Sequence, residues 1–336
     1  MPAPVVLVIE IGGTNLRAAL FDPVARTLSH RLHADAPPAP PPGGSAIEAH
    51  AALAGTVHRL GLEVLDGSAP DVVSIAYPGP IDDRGVALAA PTIVGVAGPE
   101  PLQLQQEFGS MWPAARVLVL NDLTAAGYRY VDRGLRDFCV LTIGSGVGHK
   151  VFIDGRPQLG AGGRGGEIGH LLVDPGAEAL TCDCGERGHL GGIASGRGTV
   201  RLLRARAAQD SEGFRASALG GAVDARSAID GPTVADAFAE GDPWVRSAVA
   251  IGLAHLGRGM AAIHLAVGTE RFILVGGFAF AMGEPYRRML VGAAEAACWR
   301  IGQDWDRMIE FGIPDDDQGM IGAGLAVLRE DRMGPP

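Results

Sequence analysis

Residues 5–21 read VVLVIEIGGTNLRAALF, and this stretch decides the fold. Five apolar residues at 5–9 predict a buried strand, and the apolar pattern over 16–21 predicts a second one. The turn between them holds Gly12, Gly13 and Thr14, so the two strands are expected to form a hairpin. Glycine lets the backbone approach a polyphosphate, and the threonine can donate its hydroxyl. The alternative is a plain hairpin turn, because Gly-Gly turns are common.

A second strand–turn–strand unit follows about 130 residues later. Residues 138–143 predict a strand, Gly144, Ser145 and Gly146 begin the turn, and residues 150–153 predict the next strand. Neither turn has the Gly-Lys-Ser/Thr of a Walker A loop, and neither leads into a helix as in a Rossmann fold. Two such units are far more specific than one and indicate a duplicated fold.

Composition limits the class of protein. The 336 residues suffice for two lobes, and 47% hydrophobic residues provide a core, which excludes global disorder. The net charge of −10 argues against a nucleic acid or an anionic membrane as partner. No stretch approaches the ~20 apolar residues of a membrane span, and no basic segment precedes the first strand. We therefore expect a cytoplasmic protein without a signal peptide.

The remaining elements follow from apolar runs and capping residues. Further predicted strands cover residues 72–76, 117–120 and 271–275. Predicted helices cover residues 45–60, 242–265 and 320–328, the first two capped by Ser45 and Asp242. Gly276 and Gly277 follow the last strand. Small residues there either let a flat base lie against the backbone or serve close helix–strand packing, and both interpretations stand.

A carboxylate follows the strand at 117–120. Asp122 can accept a proton from a hydroxyl group while Asn121 orients the same substrate. The alternative is that Asp122 caps the helix expected to start near residue 123, since Asp is a preferred N-cap. From these residues alone, the cap is the stronger interpretation.

Soft metal ligands lie close together in the sequence. His170, Cys182, Cys184 and His189 supply four ligands for a tetrahedral structural Zn²⁺. The alternative is two buried thiols and two unrelated histidines. Glu167, among glycines three residues before His170, is interpreted as a ligand of substrate hydroxyls, or else as part of a solvated turn.

These motifs, in this order, resemble the ROK family of bacterial sugar kinases, and the resemblance covers nearly the whole chain. Other matching pieces are residues 77–82, 165–170 and 322–324. The resemblance implies an α/β fold of the actin/hexokinase type, with two ribonuclease-H-like lobes and a cleft between them. We assign residues 1–122 and the C-terminal helix 317–336 to the first lobe, and residues 123–316 to the second.

The resemblance also implies ATP, Mg²⁺ and structural Zn²⁺, and a role for each matching residue. Asp122 would be the catalytic base of an in-line transfer that has no covalent intermediate. The implied ligands of substrate hydroxyls are Asn121, Glu167 and His170. The implied phosphate cradles are Gly12, Gly13 and Thr14, and Gly144, Ser145 and Gly146, with Gly276 and Gly277 on the adenosine side. The implied zinc ligands are His170, Cys182, Cys184 and His189.

The chain departs from the family pattern at four positions. Glu10, which is predicted to hold Mg²⁺ or its waters, stands where an Asp is usual, so Mg²⁺ placement is expected to shift. His189 replaces a third Cys. Gly191 stands where glucose-specific members carry a Glu that contacts hydroxyls at the anomeric end of the sugar, and Thr92 replaces an Asn. Losing a buried carboxylate changes specificity strongly. We count Gly191 and Thr92 among the substrate-binding positions.

The predicted activity is therefore an ATP-dependent phosphorylation of a hydroxymethyl group. The predicted substrate is a C7-cyclitol such as 2-epi-5-epi-valiolone, which some family members phosphorylate and which has no anomeric oxygen. The alternatives are a glucokinase or another kinase of hexoses or amino-sugars and, more remotely, a non-catalytic ligand-binding regulator. Family repressors carry an N-terminal helix-turn-helix, which we do not expect here because the first strand begins at Val5. A zinc hydrolase is disfavoured, since four ligands leave no open position. We expect a homo-oligomer, a dimer or a tetramer.

Overall fold

The computed structural model of the chain describes residues 3–38, 40, 45–95, 101–160, 162–221 and 229–333. Its contacts divide the chain into two compact units. Unit 1 comprises Met1–Arg136, Phe152–Gly165 and Asp315–Pro336, and unit 2 comprises Asp137–Val151 and Gly166–Pro314. This division differs from the predicted lobes, which placed residues 123–136, 152–165 and 315–316 in the second one.

The secondary structure follows the predicted pattern closely. The strands are β1 (Val6–Ile11), β2 (Asn15–Asp22), β3 (Thr27–Asp35), β4 (Val72–Tyr77), β5 (Arg116–Asn121), β6 (Phe138–Ile143), β7 (Val147–Ile153), β8 (Arg156–Pro157), β9 (Phe272–Val275) and β10 (Ile309–Phe311). The helices are α1 (Ala46–Leu65), α2 (Pro91–Val94), α3 (Leu104–Met111), α4 (Asp122–Asp132), α5 (Leu190–Ala194), α6 (Gly196–Gln209), α7 (Ser211–Ala216), α8 (Gly231–Ala239), α9 (Pro243–Val267), α10 (Gly277–Ala297), α11 (Trp305–Met308) and α12 (Gln318–Met333).

Two predicted helix caps are confirmed. The Ser45 side chain accepts a hydrogen bond from the Glu48 N–H at the start of α1, and Asp242 does the same for Val245 at the start of α9. A short polar oxygen there satisfies one of the N–H groups that have no partner within the helix. Both helices run a few residues further than predicted, and β7 begins earlier, at Val147.

Unit 1 is built on a five-stranded sheet with the order β3-β2-β1-β4-β5. Strands β1 and β2 form the predicted hairpin, and β4 and β5 are parallel to β1. Side chains of β1 alternate between two hydrophobic clusters: Leu7 packs with residues of α1, and Val8 packs with residues of α12. Because both faces of β1 are covered, its sequence is a continuous apolar run rather than an alternating one.

Unit 2 contains the strands β10, β9 and β6 and the first part of β7, in that order across the sheet. The end of β7 and its partner β8 fall within unit 1. Strand β6 is parallel to β9, and β9 is parallel to β10. Helix α9 belongs to the core of this unit. It is the one helix among the described residues that is long and apolar enough to cross a membrane, although the sequence was expected to contain none. However, 61% of its apolar window is buried, as the core helix of a folded domain requires.

Helices α4 and α12 pack closely within unit 1. A Cβ on Gly322 of α12 would overlap the backbone carbonyl of Ala125 in α4. We expect Gly322→Ala to lower the free energy of unfolding by about 2 kcal/mol, since overpacking costs ~1–3 kcal/mol. The matched control is Gly292→Ala on an exposed part of α10, where nothing lies within 4 Å of the added Cβ. It should stabilise by about 0.5–1 kcal/mol. Urea unfolding measures both, and two equal effects would contradict the packing argument.

Candidate active site

The first glycine turn joins β1 to β2 with little internal bonding. The Gly12 N–H donates to the Asn15 carbonyl at 2.9 Å, and the Asn15 side-chain amide donates to the Thr14 hydroxyl at 3.1 Å. Gly13 and Thr14 are exposed. Because the Thr14 oxygen already accepts a hydrogen bond, its own proton is directed away from Asn15 and can serve as a donor. The turn thus has the features expected of a phosphate cradle.

Glu10 lies in a cluster of carboxylates beside this turn. Its Oε2 is 3.1 Å from Nη2 of Arg17, its cross-strand partner. Burial raises the pKa of Glu10 from 4.5 to about 7; Arg17 lowers it, and the carboxylates of Asp122, Asp317 and Asp316 raise it again. Carboxylate oxygens are the ligands that Mg²⁺ uses in proteins. The donor set therefore fits the predicted role of Glu10 as a residue that holds Mg²⁺ or its waters.

Asn121, rather than Asp122, is the N-cap of α4. Its Oδ1 accepts hydrogen bonds from the N–H groups of Leu123 (3.0 Å) and Thr124 (3.1 Å). Its Nδ2 donates to the Gly79 carbonyl (2.8 Å) and to Oδ1 of Asp122 (2.9 Å). An amide has two donors and two acceptor positions, so these four bonds satisfy the side chain. Asn121 therefore orients Asp122 from within the fold, and its contact with a substrate hydroxyl stays a prediction.

Asp122 is the first residue of α4. Its Oδ1 accepts a hydrogen bond from the Leu123 N–H at 2.8 Å as well as from Asn121. The side chain is half-buried at the end of the helix where the dipole is positive. That field favours a carboxylate anion, which is the form that accepts a proton. The geometry is therefore suited to a general base.

The second glycine turn lies against the start of α6 in unit 2. The Gly144 N–H donates to the Gly146 carbonyl at 3.0 Å, and the Gly144 carbonyl accepts from the Gly196 N–H at 2.9 Å. Ser145 and Gly146 are exposed. Ser195 caps α6 by accepting from the Gly198 N–H. The turn is thus fixed by a capped helix whose N-terminal amides favour anions nearby.

The two interpretations of the Gly276-Gly277 pair apply to different residues. Gly276 has φ of +102°, and a Cβ there would come within 2.7 Å of the Ile143 carbonyl oxygen. Gly276 is therefore required by close packing and by its backbone conformation. Around Gly277, by contrast, no atom lies within 4 Å of an added Cβ. That open space at the start of α10 is compatible with the predicted adenosine side.

Glu167 does not lie in a freely solvated turn. Its Oε1 is 2.8 Å from Nζ of Lys150, whose side chain is buried in β7. Lys150 is a site residue that was not predicted from the sequence, although a lysine within the predicted strand at 150–153 was a signal. Lysine is seldom buried without a charged partner, so its position in an apolar strand indicates a nearby carboxylate.

The four predicted zinc ligands come together. One ligand atom from each of His170, Cys182, Cys184 and His189 lies within 4.8 Å of the others. The Cys184 Sγ is 3.2 Å from Nδ1 of His189. Two sulfur and two nitrogen donors fit a tetrahedral zinc ion. The loop is also held from outside, because Asp183 accepts hydrogen bonds from two arginines of α6.

The two positions predicted to set specificity lie on short helices. Gly191 is buried in α5, and a Cβ there would lie 3.2 Å from the Gly169 carbonyl oxygen and 3.8 Å from Sγ of Cys182. A side chain at this position would therefore press on the Gly169 carbonyl, next to the predicted ligand His170. Thr92 lies in α2, and its side chain is outside the described part of the chain.

The family model described as ROK matches residues 6–329, and the chain therefore belongs to the ROK family. The chain is 38% identical over 277 residues to the C(7)-cyclitol 7-kinase of Streptomyces hygroscopicus subsp. limoneus. This match covers 80% of this chain and 77% of that protein. It is 34% identical over 201 residues to the N-acetylmannosamine kinase of Salmonella arizonae, covering 59% and 64%.

A solved structure gives the fold class. The ROK family glucokinase from Streptomyces griseus, in complex with glucose and AMPPNP, matches with a TM-score of 0.75 at 24% identity, covering 95% of this chain and 98% of that one. The predicted α/β fold of the actin/hexokinase type is thereby confirmed.

The raised pKa of Glu10 predicts a pH-dependent stability. Glu10 ionises near pH 4.5 in the unfolded chain and near 7 in the folded one, so ionisation favours unfolding. The contribution of protonated Glu10 to the free energy of unfolding is fully present below pH 4.5. It is lost as the pH rises from there through 7. We expect Glu10→Gln to gain stability relative to the wild type, by about 3 kcal/mol between pH ~4.5 and ~8, at about 1.4 kcal/mol per pKa unit.

Urea unfolding in Mg²⁺-free buffer measures this difference. The control is Glu63→Gln, which changes an exposed carboxylate on α1 and should give a stability curve parallel to that of the wild type. If the Glu10→Gln curve is also parallel, Glu10 does not ionise as its burial predicts.

Proposed function

We propose that the protein is an ATP-dependent kinase that phosphorylates the hydroxymethyl group of a C7-cyclitol of the 2-epi-5-epi-valiolone type. The observation that carries this proposal is the carboxylate of Asp122, held at the start of α4 by the amide of Asn121. The 38% identity to a C(7)-cyclitol 7-kinase supports the reaction and the substrate class.

In the proposed reaction Asp122 acts as the general base. Its carboxylate accepts the proton of the substrate hydroxymethyl group while that oxygen forms a bond to the γ-phosphorus of ATP. The bond from phosphorus to the bridging oxygen breaks in line, and ADP leaves with the electron pair. Gly12, Gly13 and Thr14, with Gly144, Ser145 and Gly146, would hold the phosphates. Glu10 would hold Mg²⁺ or its waters, and the ion would neutralise charge on the phosphates.

The acceptor would be recognised by residues at and beside the predicted metal ligand His170. Glu167 would accept hydrogen bonds from ring hydroxyls, His170 would bind the same ring, and Gly191 leaves no carboxylate for an anomeric hydroxyl. A ring without an anomeric oxygen loses nothing by that change, whereas glucose would. The alternative acceptor is a hexose or an amino-sugar, which the 34% identity to an N-acetylmannosamine kinase supports.

The remaining proposals concern the metal and the surroundings of the enzyme. The N₂S₂ donor set supports a structural Zn²⁺, with no open position for water. The net charge of −10 supports a small-molecule partner rather than a nucleic acid or a membrane. A cytoplasmic homo-oligomer, dimeric or tetrameric, agrees with the kinase function.

The kinase is tested by ADP release with C7-cyclitols, hexoses and amino-sugars as acceptors. We expect turnover to be fastest with a C7-cyclitol. Asp122→Asn should lower kcat by about 10²- to 10⁴-fold, the usual contribution of a general base, without unfolding the protein. The matched control is Asp132→Asn at the other end of α4, where the carboxylate forms a surface ion pair with Arg26. That variant should retain full activity.

Three results would count against the proposal. Turnover with none of the acceptors would exclude a kinase of this class, and ligand binding by calorimetry without turnover would indicate a non-catalytic binding protein. Full activity of Asp122→Asn would remove Asp122 as the base.

The zinc loop makes a separate prediction. Metal analysis should find about one zinc per chain, because structural sites are fully coordinated and contribute to folding. A chelator should lower the Tm rather than only stop turnover. Cys184→Ala should lose the metal, whereas Cys298→Ala, which changes a buried cysteine outside the loop, should retain it. Zinc retained in both variants would show that these side chains do not coordinate it.

A further inference from the structure

The buried side chain of Lys150 contacts the carboxylate of Glu167, which is proposed to bind the acceptor. The Lys150 side chain is 2% exposed, and its Nζ is 2.8 Å from Oε1 of Glu167, whose side chain is 30% exposed. We propose that Lys150 is a positioning residue that fixes Glu167 and makes the acceptor site selective for uncharged polyols over rings that carry an amine. This inference rests on the proposed function, because it takes Glu167 to face the acceptor.

The backbone is shaped to let this lysine reach Glu167. Gly166 has φ of +92°, and a Cβ there would come within 2.6 Å of Lys150 Cδ and 2.7 Å of its Nζ. The ammonium group therefore passes the chain at the residue before Glu167, where only glycine leaves room. Any side chain at position 166 would displace the lysine.

The neighbouring His149 holds the same turn. Its N–H donates to the Gly166 carbonyl at 3.4 Å, and its Nδ1 accepts from the Ile168 N–H at 3.2 Å. Burial, together with the charge of Lys150, lowers the pKa of His149 to about 4. His149 is consequently neutral at physiological pH, so it fixes the turn without adding charge. Of the two residues that hold the turn at Gly166 and Glu167, only Lys150 therefore carries a positive charge.

Stability alone does not account for a lysine at this place. Burying an ammonium group is unfavourable, and an apolar residue of similar volume is often neutral or better in its place. Glu167 is partly exposed, so water could solvate its carboxylate without a buried partner. The pair is better explained by what it does to Glu167 as a ligand.

The pair changes what Glu167 attracts. A carboxylate that is only partly exposed attracts a cation such as an alkylammonium group more strongly than it would in bulk water. The Lys150 ammonium neutralises that charge and repels a second cation. A hydroxyl group can still donate a hydrogen bond, because a carboxylate has two oxygens and about four acceptor positions. The clamped pair therefore favours a neutral ring.

The test measures acceptor preference in Lys150→Met by calorimetry without ATP. The probes are 2-epi-5-epi-valiolone and a matched ring in which one hydroxyl is replaced by an ammonium group. We expect the wild type to prefer the neutral ring, and the variant to bind that ring about ten-fold more weakly and to lose at least ten-fold of its preference. Lys150→Arg should restore the preference. In turnover, KM for the acceptor should rise more than kcat falls, and KM for ATP should not change.

A second variant changes Glu167, the carboxylate partner of Lys150. Glu167→Gln leaves the ammonium unneutralised, so it should disfavour the amine-bearing ring further. In the Glu167→Gln background, Lys150→Met should no longer weaken binding of the neutral ring, because coupled residues act non-additively. This arm remains decisive if Lys150→Met alone fails to fold.

The outcomes separate this inference from the proposed function. If Lys150→Met weakens both rings equally, Lys150 is merely structural and the inference is wrong. If the wild type turns over no acceptor, the kinase proposal fails, while the binding preference still decides the role of Lys150.

Discussion

Strand β1 must be buried on both faces, and the rest of unit 1 follows from that constraint. Its side chains pack alternately against α1 and α12, so the strand can only lie at the centre of a covered sheet. The chain must then turn back at Gly12 and Gly13, where the strand leaves the core. Glu10 is drawn toward the interior just before that turn. Its raised pKa is the electrostatic consequence of placing a carboxylate at the end of an apolar strand.

Two carboxylates proposed to act on the acceptor are held in comparable ways. Asp122 receives a hydrogen bond from the amide of Asn121, which is itself saturated by the start of α4 and the Gly79 carbonyl. Glu167 receives one from the buried ammonium of Lys150. In each case a neighbouring side chain, itself held by the fold, donates a hydrogen bond to one carboxylate oxygen and fixes its position. Fixed donors and acceptors lower the entropic cost of orienting a substrate for in-line transfer.

Much of this could be predicted, and the failures are informative. The preference of Asp for helix starts suggested Asp122 as the N-cap of α4, whereas Asn121 takes that place because the helix begins one residue earlier than predicted, at Asp122. Position along the chain cannot resolve neighbouring residues of similar capping preference. The two roles offered for Gly276 and Gly277 were equally plausible because both glycines look alike in sequence, and only their surroundings separate them.

The sequence by itself determined the strand–turn–strand units, the starts of α1 and α9 and the four residues that could hold a metal ion, because apolar runs, caps and soft ligands act over a few residues. The tertiary structure decided which groups meet across longer separations. Lys150 and Glu167 are 17 residues apart, and only the path of the chain around Gly166 brings them to 2.8 Å. Burial and charge pairing depend on that path, which no local pattern encodes.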